Sequence, residues 1–171
     1  MSYFNQFGTI LYDPAGDGSA KLCTDIMSRV RVRANMKKEI VMLDPYNVKE
    51  NETPEIVADK HHGSPYYHWV IMILNDISDV NHDWVKSTRQ LQKYLLSKYT
   101  QVQLTEPHHY EISQTSGDTT TKIEVENSTY PSASIVTNYE YEVALNDEKR
   151  SIDLLRNEFL TFFVDEFQNT I

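Results

Sequence analysis

The chain has 171 residues, 16 of them Lys or Arg and 25 Asp or Glu, for a formal net charge of −9. Hydrophobic residues make up 40% and charged residues 24%, the balance of an ordinary globular protein long enough to bury its own core. The acidic excess argues against nucleic acid as a partner. The single Cys23 forbids an intrachain disulfide and favours a reducing compartment. The longest apolar run, Trp69–Leu74, is too short to cross a membrane.

In chain order, residues 1–43 read as an N-terminal extension. Its opening, MSYFNQFGTILYDP, has no basic segment and no long apolar stretch, so no secretory signal is expected. Residues 1–23 are loop-like, with Asp13-Pro14 and Gly16-Asp17-Gly18-Ser19 as breakers. Thr24-Asp25 before Ile26 and Met27 is a helix start, and Val30-Arg31-Val32-Arg33 alternates like a strand; the switch falls within 24–43.

Residues 44–86 are punctuated more sharply. Tyr46-Asn47-Val48-Lys49 alternates like a strand. Thr53-Pro54-Glu55 is a helix start: a hydroxyl to accept a free amide, a proline where no donor is needed, and an acid that complements the helix dipole. Gly63 is placed to end that helix in the left-handed conformation. Ser64-Pro65 then starts a second helix, with Trp69, Val70, Ile73 and Leu74 as its apolar stripe and an end near Asn75. Asp83-Trp84-Val85 predicts a strand pairing back on 44–49. The order is then β-α-α-β, with Tyr46, Ile56, Trp69, Ile73 and Trp84 as candidate core.

Residues 87–99 read as a helix capped by Ser87, with Leu91, Tyr94, Leu95 and Lys98 at helical spacing. In 100–145, the alternation Lys122-Ile123-Glu124-Val125-Glu126 and the turn Ser116-Gly117-Asp118 predict a β-hairpin. Residues 146–171 read as the longest helix, capped by Asn146, with Asp147 and Glu148 in its first turn. Ile152, Leu155, Phe159, Phe163 and Phe167 fall on one stripe, while Leu154, Leu160, Phe162 and Val164 fall outside it. A helix apolar around so much of its circumference is buried on more than one side, by its own hairpin or by a partner, and the pattern leaves both readings open.

Chemistry is thinly represented. The adjacent pairs His61-His62 and His108-His109 lack the i, i+4 spacing that puts two ligands on one helix face, and Cys23 has no local ligand neighbour, so no metal or other cofactor is expected. No Gly-x-Ser-x-Gly nucleophile turn occurs. Glu52, Glu55 and Asp59 are closely spaced acids, but they read more simply as a solvated helix start than as two carboxylates facing across a glycosidic bond. Eleven Tyr against five Gly suits contact surfaces better than phosphate loops. Arg29, Arg31, Arg33, Lys37 and Lys38 form a basic run, either a solvated face or a dock for an acidic partner.

Two resemblances rest on these residues. Tyr46-x-Val48-Lys49, Glu52-Thr53, Ile56-x-Ala58-x-Lys60, Gly63, Trp69 and Asn75 resemble a LysM domain, a family that binds N-acetylglucosamine polymers. The family's Gly-Asp-Thr turn beside the sugar groove is here Asn51-Glu52-Thr53, which weighs against sugar binding. Glu52 to Ile71, with Asp83-Trp84, the helix to Lys98-Tyr99, Tyr141-Glu142, Asn146–Arg150 and Thr24-Asp25-Ile26, is similar to a baseplate wedge family of contractile-tailed bacteriophages, the T-even-like gene product fifty-three family. That similarity spans roughly 24–99 and 138–168 and leaves 100–137 poorly matched.

It implies an α+β protein: a central LysM-like βααβ module, an N-terminal extension, a β-hairpin insertion and a long C-terminal helix. It implies a non-enzymatic virion subunit of the tail baseplate, assembled in the host cytoplasm. Its partners would be the wedge core, the sheath-initiating lysozyme-like subunit and neighbouring wedges, not nucleic acid or membrane. Ile152, Leu155, Phe159, Phe163, Phe167, Arg31 and Arg33 are the candidate contacts. The alternative is a peptidoglycan-binding module of a tail-associated protein.

Overall fold

The computed structural model describes residues 3–27, 40–115, 117 and 121–170. Strands and helices follow in the order β1 (Thr9–Tyr12), β2 (Lys21–Thr24), β3 (Leu43–Asn47), α1 (Pro54–His62), α2 (His68–Leu74), α3 (Val80–Asp83), α4 (Thr88–Lys98), β4 (Pro107–Ser113), β5 (Lys122–Val125), β6 (Ser134–Thr137), α5 (Asn138–Glu148), β7 (Ser151–Leu155) and α6 (Asn157–Thr170). The fold is α+β. It divides into two compact units, Met1–Trp84 with Ser151–Ile171, and Val85–Arg150.

The first unit is built on the antiparallel pair β3–β7, in register from Leu43↔Leu155 to Asn47↔Ser151. Pro45 faces Asp153, whose backbone N–H and C=O turn away from β3 to the Asn75 side chain at 2.9 and 2.8 Å. No ladder donor is needed from Pro45 there, so a proline fits the strand. Thr53 accepts from the Ile56 N–H, Pro54 opens α1, and Gly63 closes it at φ 72°. Ser64 caps a 3-10 turn, Pro65–Tyr67, that leads into α2. Trp69, Val70 and Leu74 of α2 meet Leu155 of β7, Leu160, Phe163 and Phe167 of α6, and Phe7 from the N-terminal segment. Trp69 and Phe167 rings lie 4.6 Å apart, and Tyr3 closes the cluster from the edge of Phe7 at 4.9 Å.

Four expectations are corrected here. The strand that closes the β-α-α-β arrangement is Ser151–Leu155, not Asp83–Val85; Asp83 ends a short helix and Trp84 caps it. The C-terminal helix begins at Asn157, because Ile152 and Leu154 alternate inward across a strand while Asp153 points out. Asn146 is not its cap but a buried residue of α5. Residues 9–24 form a hairpin, β1 with β2, rather than a loop, and Thr24 ends that hairpin instead of capping a helix. The strand read at Val30–Arg33 and the basic run with it lie outside the described residues.

In the second unit a reciprocal capping box, Ser87 with Gln90, starts α4, and another, Thr137 with Glu140, starts α5. β4 is the central strand of a sheet ordered β5-β4-β6, so the expected hairpin is present and carries a third strand. Its connection includes Ser116 and Asp118, which lie outside the described residues. His108 at the start of β4 stacks on Tyr141 of α5 at 3.8 Å. The Asn146 amide clasps Lys86, accepting from its N–H at 2.8 Å and donating to its C=O at 3.0 Å.

Trp69 is the hub of the first core, 3% exposed between Phe163 and Phe167. Trp69→Ala is expected to cost about 3–5 kcal/mol through lost burial and a residual cavity. The urea midpoint checks this, and a loss below about 1 kcal/mol contradicts the assigned core.

Candidate functional site

The Asn51-Glu52-Thr53 turn is a structural knot. Asn51 takes φ 64°, the left-handed conformation that asparagine tolerates better than most residues. Glu52 points inward and is buried. Its carboxylate accepts from the Tyr46 hydroxyl at 2.8 Å, the Lys49 N–H at 2.8 Å and the Lys60 ammonium at 2.6 Å. Its carbonyl accepts from Trp84 Nε1 at 2.8 Å. Burial pushes the Glu52 carboxyl up, but the Lys60, Lys49 and Tyr46 hydrogen bonds outweigh it and hold the group below its ordinary range. Glu55 and Asp59 are exposed, so the three acids do not converge on a cleft. Trp84, 5% exposed, is spent on this knot and presents no face for a sugar ring.

A second polar seam ties α1 to the C-terminal elements. His61 Nε2 donates to the Leu155 carbonyl at 3.0 Å. Asn157 accepts from His62 Nδ1 at 2.8 Å and donates to the His61 carbonyl at 2.7 Å. His62 Nε2 is buried without a hydrogen-bond partner among the described residues. Burial lowers the His62 pKa, the Asn157 hydrogen bond opposes that, and neighbouring His61 adds to it. Among the described residues no group of three or more His, Cys, Asp or Glu is arranged to hold a metal ion, and no helix is long and apolar enough to cross a membrane.

The residues selected from sequence as contacts separate. Ile152 and Leu155 sit on β7, and Phe163 and Phe167 on α6; all four are buried within the chain, with Phe159 half-buried against the same core. Arg31 and Arg33 lie outside the described residues. Of the module core, Trp69 and Trp84 are buried, Tyr46 and Ile73 are half-buried, and Ile56 is a correction at 41% exposed, because α1 turns Val57 and Ala58 inward instead. What α6 turns outward is Glu158, Thr161, Phe162, Asp165 and Glu166.

The larger exposed apolar feature was not read from the sequence. All eight residues of the β1–β2 hairpin are exposed, with Leu11 directly opposite Leu22 and Ile10 opposite Cys23. Asp13 pre-forms the connecting loop by accepting from the amides of Ala15, Gly16 and Gly18. The β-favouring run Thr9-Ile10-Leu11-Tyr12 before the Asp13-Pro14 turn was the available signal.

The two titrating groups give stability a stepped pH dependence. The His62 contribution is complete above its ordinary value of 6.5 and is lost as pH falls below it, because the unfolded chain takes up the proton first. The Glu52 contribution is complete above 4.5 and is lost below it, for the same reason. In urea titrations across pH, His62→Gln is expected to flatten the upper step and Glu52→Gln to shrink the lower one. Unchanged profiles in both variants contradict these assignments.

The family model described as base plate wedge protein 53, from phages, matches residues 23–131, more than half of the chain. The match runs through residues 100–131, which the sequence similarity had left out, and stops before 138–168, which it had included. Among curated proteins none matches the chain. Members of such a family have a structural role in the tail baseplate of the virion, in association with other baseplate components. The chain belongs to the phage base plate wedge protein 53 family.

Proposed function

We propose that the chain is a non-enzymatic joint of the baseplate wedge, linking wedge components and promoting closure of the baseplate ring around the hub. In this reading β3, α1, α2 and β7 act as a LysM-like packing block. The two-stranded antiparallel sheet β3–β7, with the successive helices α1 and α2 in the same unit, supports that reading, as does the inward turn of Glu52 and Trp84. The partners would be the wedge core, the sheath-initiating lysozyme-like subunit and neighbouring wedges, met during assembly in the host cytoplasm. Arg31 and Arg33 stay candidates for an acidic partner surface. Ile152, Leu155, Phe159, Phe163 and Phe167 would serve assembly by seating α6 so that Phe162, 57% exposed, faces outward.

The observation that carries the proposal is the β1–β2 hairpin. A two-stranded hairpin exposed on both faces is marginal in water, and one bearing Leu11 and Leu22 at 73% and 69% exposure gains most when a partner covers it. Co-expression with the other baseplate proteins of the same phage, followed by affinity purification and native mass spectrometry, tests it. The wild type is expected to carry wedge proteins with it. The double variant Leu11→Asp, Leu22→Asp is expected to keep its circular dichroism spectrum and lose them. Leu155→Asp, which places a charge in the core, is expected to lose the fold itself. A folded wild type that holds no baseplate protein, or a hairpin variant that holds them equally well, overturns the proposal.

A further inference from the structure

The outward face of α6 carries one sign of charge. Phe162, 57% exposed, has Glu158 one turn before it and Asp165 and Glu166 one turn after it, all three exposed. Residues three and four apart are neighbours on a helix surface, so these acids border Phe162 on its own face. No lysine or arginine on the helix offsets them.

The chain itself holds the complement. Of the nine Lys and Arg of the first unit, five fall in a single run, Arg29, Arg31, Arg33, Lys37 and Lys38, with Val30, Val32 and Met36 between them. Of the other four, Lys60 is paired with Glu52 and Arg156 with Asp44. The run belongs to residues 28–39, outside the described residues, but the points where the chain leaves and returns are both fixed beside α6. Before the run, the Asp25 N–H donates to the Gly8 carbonyl at 2.8 Å, and Phe7, next to Gly8, packs on Phe167 with ring centroids 6.1 Å apart. After it, the Met42 carbonyl accepts from the Arg156 N–H at 2.9 Å, immediately before α6 begins at Asn157. Arg156 and Phe167 are roughly 16 Å apart along the helix axis, and residues 26–41 cover about 24 Å even if wholly helical. The segment thus departs near the C-terminal end of α6 and re-enters near its N-terminal end, with length to spare.

We propose that residues 28–39 dock along the outward face of α6 in the same molecule, running opposite to the helix. Arg31 and Arg33 then meet Asp165 and Glu166, Lys37 and Lys38 meet Glu158, and the apolar residues between them cover Phe162. A single exposed ion pair contributes little, so the contact depends on several pairs acting together with the burial of Phe162. Two anchored ends hold the run at high effective concentration beside the helix, whereas a second copy with the same net charge of −9 is repelled at long range. The contact occupies Arg31 and Arg33 before assembly, so an acidic surface of another baseplate protein reaches them by taking the place of α6. That consequence alone rests on the role proposed above.

Hydrogen exchange of the purified full chain, read by mass spectrometry at two salt concentrations, tests the contact. The amides of 28–39 are expected to exchange about fivefold or more slowly than those of a free peptide of the same sequence, and faster at the higher salt. Arg31→Glu with Arg33→Glu is expected to remove that protection, as is Asp165→Lys with Glu166→Lys, and the four substitutions together to restore it. Glu158→Lys with Arg31→Glu and Arg33→Glu does not restore it, because Glu158 lies at the other end of the run. Phe162→Ser weakens the protection, and Glu124→Lys in the second unit leaves it within about twofold. Circular dichroism confirms each variant as folded, and analytical ultracentrifugation follows self-association.

A wild type in which 28–39 exchange as the free peptide does overturns this inference and leaves the assembly role standing. Protection that no α6 substitution reduces, or that the fourfold variant fails to regain, overturns it as well. Protection that rises with protein concentration together with a sedimenting dimer overturns it in favour of a second copy.

Discussion

The pairing of Leu43–Asn47 with Ser151–Leu155 is the constraint on which the first unit rests. A five-residue strand has no stability of its own, and the partner that completes it arrives after the whole of the second unit has been made. The chain then holds the return in place with several independent contacts. Asn75 hydrogen-bonds both backbone groups of Asp153, Arg156 Nε donates to the Asp44 carboxylate at 2.8 Å, and the Arg156 N–H continues the ladder to the Met42 carbonyl at 2.9 Å. Leu155 drops into the core below that point and fixes the register by burial.

Such a long excursion costs little if its ends are held together. Closure entropy rises by only about 0.6 kcal/mol for each doubling of loop length. The second unit also brings its own ends together: Asn146, near its exit, binds both backbone groups of Lys86, near its entrance. A buried asparagine with a two-point backbone match replaces what a strand pair would otherwise do. Lys98 and Tyr99 of the helix region likewise bind the buried Glu142 carboxylate, which holds the Lys98 ammonium above the ordinary lysine range. This unit is thus organised by polar contacts more than by a hydrophobic core.

Local rules made much of this legible. Thr53-Pro54, Gly63, Ser64-Pro65 and Ser87 stand where their capping chemistry put them, because a cap depends on a few adjacent residues. The β-α-α order was legible for the same reason. Its closing strand was not, because the nearer Asp83-Trp84-Val85 offered a shorter loop and no local signal names a partner so far away. The error at the C-terminus has a specific cause. Ile152, Leu155 and Phe159 satisfy helical spacing, while Ile152 and Leu154 equally satisfy strand alternation, and the two periods agree over so short a run. Asn146-Asp147-Glu148 looked like a helix start because the box that starts α5, Thr137 with Glu140, had been read as part of a strand region. At the candidate site, apolar residues at the right spacing were found, but their sidedness was not. Phe163 and Phe167 face the chain's own Trp69, so the outward face of α6 had to be read from the structure.

The distribution of charge follows from the same division between core and surface. The inward face of α6 is aromatic, and the outward face carries Glu158, Asp165 and Glu166 around Phe162 without a lysine or arginine on the helix. The sheet region is acidic as well, and the one dense basic run, Arg29 to Lys38, is confined to the segment after the N-terminal hairpin. Apolar contact is non-directional and by itself admits many wrong poses. Adding one sign of charge around the exposed apolar groups and the opposite sign on one short segment makes those poses unequal, since like charges brought together oppose docking and unlike ones guide it. For a protein that associates with other baseplate components, that inequality supplies specificity that apolar contact alone does not.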